Sequence, residues 1–360
     1  MPKIVKPIDG NLSPRGAELL RRRGLSHTPR TGPPNPQWST YLQNNIGDVS
    51  GYAFVVAHHD RIVAEGAAGW ARTSTDAPQT PWSVDTRINL ASVSKCVTAV
   101  AMLRLMDRHG IKITDPFYPH IQAQCPTAGA GVATVTFQNL LEMKSGLQVD
   151  GTLWTPNVWN FLSTYLTQPL AGVPGVTSAY SNTNFTILQG IISLLVSPSN
   201  QGADGIAPYV EYVTDHVLKP MRVHHHLFNP TPDPATTGTL SYAFGDPGPG
   251  VYWTEINCVG CGGWVSSAKE LIKFLIGVRK DAALNRQWSK EMLMQQLGWY
   301  EYDGVDGHYF DHNGWLHDGG TPDRGLTTGI VHFSEGYDAL LLTNTQWVDT
   351  IGLLIGAFEQ

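Results

Sequence analysis

Apolar positions change their spacing several times along the chain, and each change marks an element. Apolar runs from Tyr52 to Ala57 and from Ile62 to Ala64 flank His59-Asp60, which predicts two strands around a turn. Two further β-like runs, Leu326 to Phe333 and Ala339 to Leu342, predict a second hairpin, and the two hairpins are expected to share one antiparallel sheet. Between them the spacing is helical. Ile88, Leu90 and Ala91 open into a long helical pattern that Gly110 is expected to end. Phe185, Leu188, Ile191, Ile192 and Leu195 form the stripe of another helix. Ser267 and Glu270 make a capping box ahead of Leu271, Ile272, Phe274 and Leu275.

The expected class is α+β, an antiparallel sheet flanked by helices plus a mostly helical lobe. Residues 116–255, rich in helix entrances, prolines and loops, are expected to form that lobe, inserted between two parts of an α/β lobe at 37–115 and 256–360. A chain of 360 residues exceeds the usual size of a single core, so two intimately packed lobes are expected. Residues 1–36 form an N-terminal extension. Ser13 and Pro14 can start a short helix, Arg21-Arg22-Arg23 suits its negative end, Gly24 stops it, and Pro29, Pro33, Pro34 and Pro36 mark a linker.

A net charge of -6 gives no reason to expect nucleic acid or an anionic membrane as partner. No apolar stretch reaches the roughly 18 residues of a membrane span. The first ten residues lack the apolar core of a signal peptide, so a cytoplasmic protein is expected, although a secreted mature form would look the same. Cys96 is expected as a small buried filler, and Cys125 stands alone. Cys258-Val259-Gly260-Cys261 has no second ligand pair at metal-site spacing and suggests a local disulfide or two packed thiols. His58-His59 and His224-His225-His226 are expected on surface turns. No metal and no cofactor is expected.

Ser92-Val93-Ser94-Lys95 carries the candidate chemistry. Helical positions three apart share a face, so the Lys95 amine can reach the Ser92 hydroxyl without long-range folding. A second copy, Ser266-Ser267-Ala268-Lys269, has the helix-capping explanation given above. Ser92 has two companions. Tyr180-Ser181-Asn182 places a phenol and an amide at a helix entrance, and His317-Asp318-Gly319-Gly320-Thr321 precedes the second hairpin.

With these three motifs in this order, the chain resembles the serine β-lactamase and penicillin-binding-protein superfamily, in the branch of class C β-lactamases, family VIII esterases, D-aminopeptidases and acyltransferases. That branch carries Ser-x-x-Lys, Tyr-x-Asn and Lys or His-x-Gly, matched by Ser92/Lys95, Tyr180/Asn182 and His317/Gly319. Leu140-Leu141-Glu142-Met143-Lys144-Ser145-Gly146-Leu147 and Gly262-Gly263-Trp264-Val265-Ser266-Ser267-Ala268 are similar to two further family segments, and the resemblance covers roughly residues 37–360. It implies a β-lactamase/transpeptidase-like fold with its cleft between the lobes. It also implies an acyl-enzyme on Ser92, an oxyanion held by the N–H groups of Ser92 and Gly320, and a proton relay through Tyr180. An ordinary lysine is protonated at neutral pH, so burial beside Tyr180 and Asn182 must favour the neutral amine of Lys95 if it is to act as base.

Where β-lactamases usually carry Lys followed by Thr or Ser in the third motif, this chain has His317 and Asp318. A carboxylate facing the antibiotic's carboxylate is unfavourable, which favours neutral esters or amides, or substrates with an amine for Asp318. His312-Asn313-Gly314 is a second His-x-Gly five residues earlier; His317 is preferred because Gly319 leads into a glycine-rich strand entry, and the Asp318 argument depends on that choice. Trp154, Trp159, Trp264 and Trp315 are candidates for an acyl pocket, with ordinary core packing as the alternative for each. No Gly-x-Ser-x-Gly elbow occurs, which disfavours an α/β-hydrolase. The expected activity is a serine hydrolase of esterase or amidase type acting on a small-molecule substrate. The alternatives are an acyltransferase or D-amino-acid peptidase using the same acyl-enzyme, and a catalytically silent binding protein of the same fold.

Overall fold

Helix α1 (Trp38–Asn45) leads into strand β1 (Gly51–His58), which turns and returns as β2 (Arg61–Arg72). The computed structural model describes residues 37–148, 157–198, 204–253, 259–304, 307–333 and 335–359, so the extension at 1–36, Trp154 and Cys258 lie outside the described residues. After helices α2 (Ser94–His109), α3 (Asn182–Val196) and α4 (Ala268–Arg279), the chain forms strands β3 (Tyr300–Gly304), β4 (Gly307–His317), β5 (Gly325–Phe333) and β6 (Tyr337–Thr343), then helix α5 (Thr350–Phe358).

These six strands make one antiparallel sheet in the order β2-β1-β6-β5-β4-β3. The two hairpins foreseen from the apolar runs meet through β1 and β6, with Tyr52 opposite Thr343 and Val55 opposite Leu340. Strand β2 continues well past Ala64, because Glu65 to Gly69 stay paired with β1 while their side chains face solvent, and a ladder of that kind leaves no apolar period to read. Residues 228–251 add three short strands within a stretch expected to be mostly helical; Tyr242 joins the main sheet opposite Gly325.

Strand side chains alternate between the two faces. Leu326, Ile330, Leu340 and Leu342 point into a core shared with α2, α3 and α4, while Val331, Phe333, Ala339 and Leu341 point into a second core under α1 and α5. Helix α2 is buried on every side from Ser94 to Leu103, its polar Ser94, Lys95 and Thr98 included, which suits a central helix rather than a surface one. It ends as expected at Gly110, whose φ of 67° lies in the left-handed region glycine adopts without strain. Ser267 caps α4, its Oγ accepting from Glu270 N, but the box is not closed: the Glu270 carboxylate accepts instead from His224 N and Lys273. Among the described residues no helix is long and apolar enough to cross a membrane.

Candidate active site

Ser92 lies in the single turn of 3-10 helix, Ala91–Val93, that precedes α2, so the motif straddles a helix entrance instead of lying within the helix. Ala91 takes a positive φ of 48°, an uncommon conformation for a residue with a Cβ, and its N–H is held by Asn89 Oδ1 at 2.7 Å. The preceding residue is pinned as well, Leu90 N donating to Trp264 O at 2.8 Å. This anchored bend presents Ser92 half-buried at the start of the buried helix.

Lys95 is fully buried one turn on. Its Nζ lies 3.0 Å from Ser92 Oγ, 2.8 Å from Asn182 Oδ1 and 2.5 Å from Cys261 O, and 4.9 Å from the centre of the Tyr180 ring. The two oxygens of Asn182 and Cys261 can only accept, so each requires an N–H from the amine. A neutral amine has two N–H bonds and one lone pair, and the lone pair is then left for the Ser92 hydroxyl. Tyr180 Oη completes the group at 2.5 Å from Ser92 Oγ. Tyr180 and Asn182 come from the entrance of α3, where Ser181 is the N-cap residue. Cys261 enters through its carbonyl, from the buried segment Val259–Gly263, a contribution no side-chain motif could announce.

The third motif requires a correction. Gly314, in β4, packs so closely on the serine turn that an added Cβ would lie 2.3 Å from Leu90 O and 3.0 Å from Ala91 Cβ. His312, two residues earlier, shares that face and is 2% exposed. Burial is the largest cause pulling its pKa down to about 3, with the cationic form of Lys95 adding to it, and because both causes act in the same direction and burial leads, the ring is neutral at pH 7 beside a neutral Lys95 amine as well. Its Nδ1 lies 2.7 Å from Asn313 O, which can only accept, so Nδ1 carries the proton and Nε2 the lone pair. His317 is an odd number of residues away and belongs to the opposite face. It stacks on Trp315 with ring centres 4.8 Å apart, and its Nδ1 pairs with Asp323 at 3.0 Å. The His-x-Gly brought to Ser92 is therefore His312-Asn313-Gly314 and not the expected His317-Asp318-Gly319.

The loop after His317 has internal uses for its polar groups. Asp318 accepts from Gly320 N at 3.0 Å and from Arg324 N at 3.0 Å and pairs with the Arg324 guanidinium at 2.6 Å, so it is not presented to a substrate amine. Although burial pushes its pKa up, those bonds hold it below the usual carboxylate value. Gly319 N donates to Asp323 and Gly320 N to Asp318, which removes Gly320 as the expected oxyanion donor. The ladder supplies another. Asp318 N donates to Arg324 O, and hydrogen-bonded pairs alternate along an antiparallel ladder, so Leu316 and Gly314 also face β5 with their N–H groups while Trp315 directs its N–H outward. Strand β3 pairs with β4 only as far as Asp311, so among the described residues no strand covers the edge at Trp315.

The tryptophans separate. Trp264 is fully buried, its Nε1 donating to Tyr209 Oη at 3.0 Å, and belongs to the core rather than to a pocket. Trp159 is also buried, whereas Trp315 is half-buried beside Trp347. A cavity of about 710 Å³ is lined by His312, Phe185, Met143, Trp299 and the Lys144–Glu142 ion pair, 3.1 Å; of the serine group and its strand it touches His312, and Ser92, Lys95 and Tyr180 do not line it.

The family described as Beta-lactamase matches residues 40–344, and the chain belongs to that family, within the serine β-lactamase and penicillin-binding-protein superfamily. "Protein flp" of Staphylococcus aureus (strain MW2) is 24% identical over 230 residues, 61% of this chain and 44% of that protein. The chain thus spans less than half of that relative's length. Among solved structures, a D-stereospecific amidohydrolase from Streptomyces sp. superposes with a TM-score of 0.67 at 18% identity, covering 90% of this chain and 98% of the other. EstCE1, described as a hydrolase with promiscuous acyltransferase activity, gives 0.68 at 16% identity, covering 90% and 98%. At these identities the likeness is one of fold: a β-lactamase/transpeptidase-like hydrolase fold.

Proposed function

We propose that the protein is a serine hydrolase that cleaves small neutral esters or amides through an acyl-enzyme on Ser92. The observation that carries this reading is the placement of Lys95 Nζ, which meets two obligate acceptors and the Ser92 hydroxyl together. Ser92 Oγ attacks the carbonyl carbon as its proton passes to the Lys95 amine. The tetrahedral oxyanion is held by the N–H groups of Ser92 and Trp315, each such donor contributing on the order of 3 kcal/mol. Tyr180 hands a proton to the leaving group as the bond to it breaks, and water, giving its proton back through the same groups, then releases the acid. His312 stands where the family's β-lactamases carry a lysine cation, and being neutral at pH 7 it offers no charge to a substrate carboxylate, which argues against β-lactam hydrolysis.

A fluorophosphonate probe tests the reading. The expected result is stoichiometric labelling of the native protein on Ser92 and none of Ser92→Ala; failure of the folded native protein either to label or to turn over any activated ester refutes it. Repeating the hydrolysis of p-nitrophenyl esters with an added alcohol or amine separates hydrolysis from acyl transfer, a second reading supported by the description of EstCE1.

A further inference from the structure

The open edge of β4 has two sides, and the serine group occupies one of them. His312 and Gly314 face Ser92 and Lys95, whereas Asn313 and Trp315 face the other way, and a substrate reaching the outward N–H of Trp315 lies along the edge between the two. On the far side the edge is flanked by Trp347, which leads from β6 toward α5. Its indole is 58% exposed and meets Trp315 edge to face, with centroids 4.2 Å apart and planes at 65°. The arrangement is braced from behind. Trp315 is stacked on the His317 ring, which is 5% exposed and fixed by Asp323, and Asp323 in turn receives the side-chain amide of Gln346 on its backbone carbonyl. Trp347 is held at a φ of 63°, a costly conformation for so bulky a residue. The buried Trp315 Nε1–H has no hydrogen-bond acceptor among the described residues.

We infer that Trp347 and Trp315 form an aromatic wall of the cleft, which selects substrates carrying an aromatic ring. This rests on the acyl-enzyme reading and adds the substrate class to it. Two indoles set edge to face leave a corner into which a third ring fits by the same edge-to-face or offset stacking that aromatic groups prefer. Trp347 is the specificity residue, because more than half its surface is available beside this strand edge.

The test compares native protein with Trp347→Ala and Trp347→Phe on three esters: ethyl acetate, benzyl acetate and ethyl phenylacetate. The last two place a ring on the alcohol and on the acyl side. For Trp347→Ala the ratio of kcat/KM on a ring-bearing ester to kcat/KM on ethyl acetate is expected to fall about tenfold in at least one pair, chiefly through KM, with Trp347→Phe keeping most of the native ratio. If both ratios stay within about twofold of native while Ser92→Ala abolishes turnover, the aromatic wall is refuted and the acyl-enzyme reading survives. If Ser92→Ala retains full turnover, the parent reading is refuted and the inference goes with it.

Discussion

A lysine enclosed by acceptors is ordinarily a cation, but the oxygens around Lys95 divide into two that need an N–H and one hydroxyl that can give a proton. On the proposed mechanism that division suits the residue to act as a base in its neutral form, and it was partly written in the sequence, since Ser92 and Lys95 lie one turn apart whatever the rest of the chain does. Asn182 and Tyr180 were recognisable by motif. The Cys261 carbonyl was not, because a backbone oxygen has no residue type to signal it. The two histidines make a discriminating pair. His312→Ala removes a neutral ring from the wall of the serine group and is expected to lower kcat/KM on p-nitrophenyl acetate by about 10²-fold. His317→Ala is expected to act mainly through stability, by about 1–3 kcal/mol, because it removes the side-chain partner of Asp323 and leaves Gly319 N on that carboxylate. Steady-state rates alongside melting curves of both variants check this, and a larger rate loss for His317→Ala would point to His317-Asp318-Gly319 as the motif that serves Ser92.

Strand β4 shows what an element adds to its residues. Within it His312 and His317 carry the same motif at an odd separation, so pairing with β5 sends them to opposite faces, and Gly314 marks which face the serine turn occupies. Asp311, on the same strand, points away from the serine group toward α5. Burial, and secondarily the charge of Asp349, pushes its pKa up to about 8. Its protonated form is the one the fold tolerates. Compared with the unfolded chain, its contribution is most favourable below about pH 4 and is lost progressively as pH rises to about 8. Asp311→Asn is therefore expected to gain stability over native protein as pH is raised across that interval, by roughly a few kcal/mol at the top, and to level off above it. Denaturant midpoints measured at a series of pH values provide the check; a constant difference from pH 4 to 8 contradicts it.

At the scale of the whole molecule, the sheet holds two cores apart and α4 is locked onto it by a buried charge cluster. Arg279 of α4 reaches Asp338 of β6 at 2.8 Å, and His332 of β5 reaches the same carboxylate at 2.7 Å. Burial opposes ionisation of Asp338, yet the His332 and Arg279 partners outweigh it and hold the pKa below the usual carboxylate value. Its contribution is present above the ordinary carboxylate range and is lost as pH falls below it. Asp338→Ala strands a partly buried guanidinium and is expected to cost about 3 kcal/mol in urea unfolding at pH 7, with the difference from native protein shrinking on acidification. No loss at pH 7 would show that the cluster does not bind α4 to the sheet.

What the sequence determined by itself was local in origin. The reach of Lys95 to Ser92, the stop at Gly110, the Ser267 cap and the two hairpins all follow from spacings within a few residues, where the backbone alone sets the geometry. The family assignment follows from the order of the motifs along the chain. Tertiary structure decided what depended on facing and on competition among partners. It showed which of two equivalent His-x-Gly motifs meets the serine, and that Arg324 takes up Asp318 and so removes the argument built on its charge. It also put Trp264 in the core and left Trp347 exposed against Trp315. Periodicity along a strand assigns residues to alternate faces but cannot say which face another part of the chain will cover, and hydrogen bonds go to whichever partner the folded chain brings nearest.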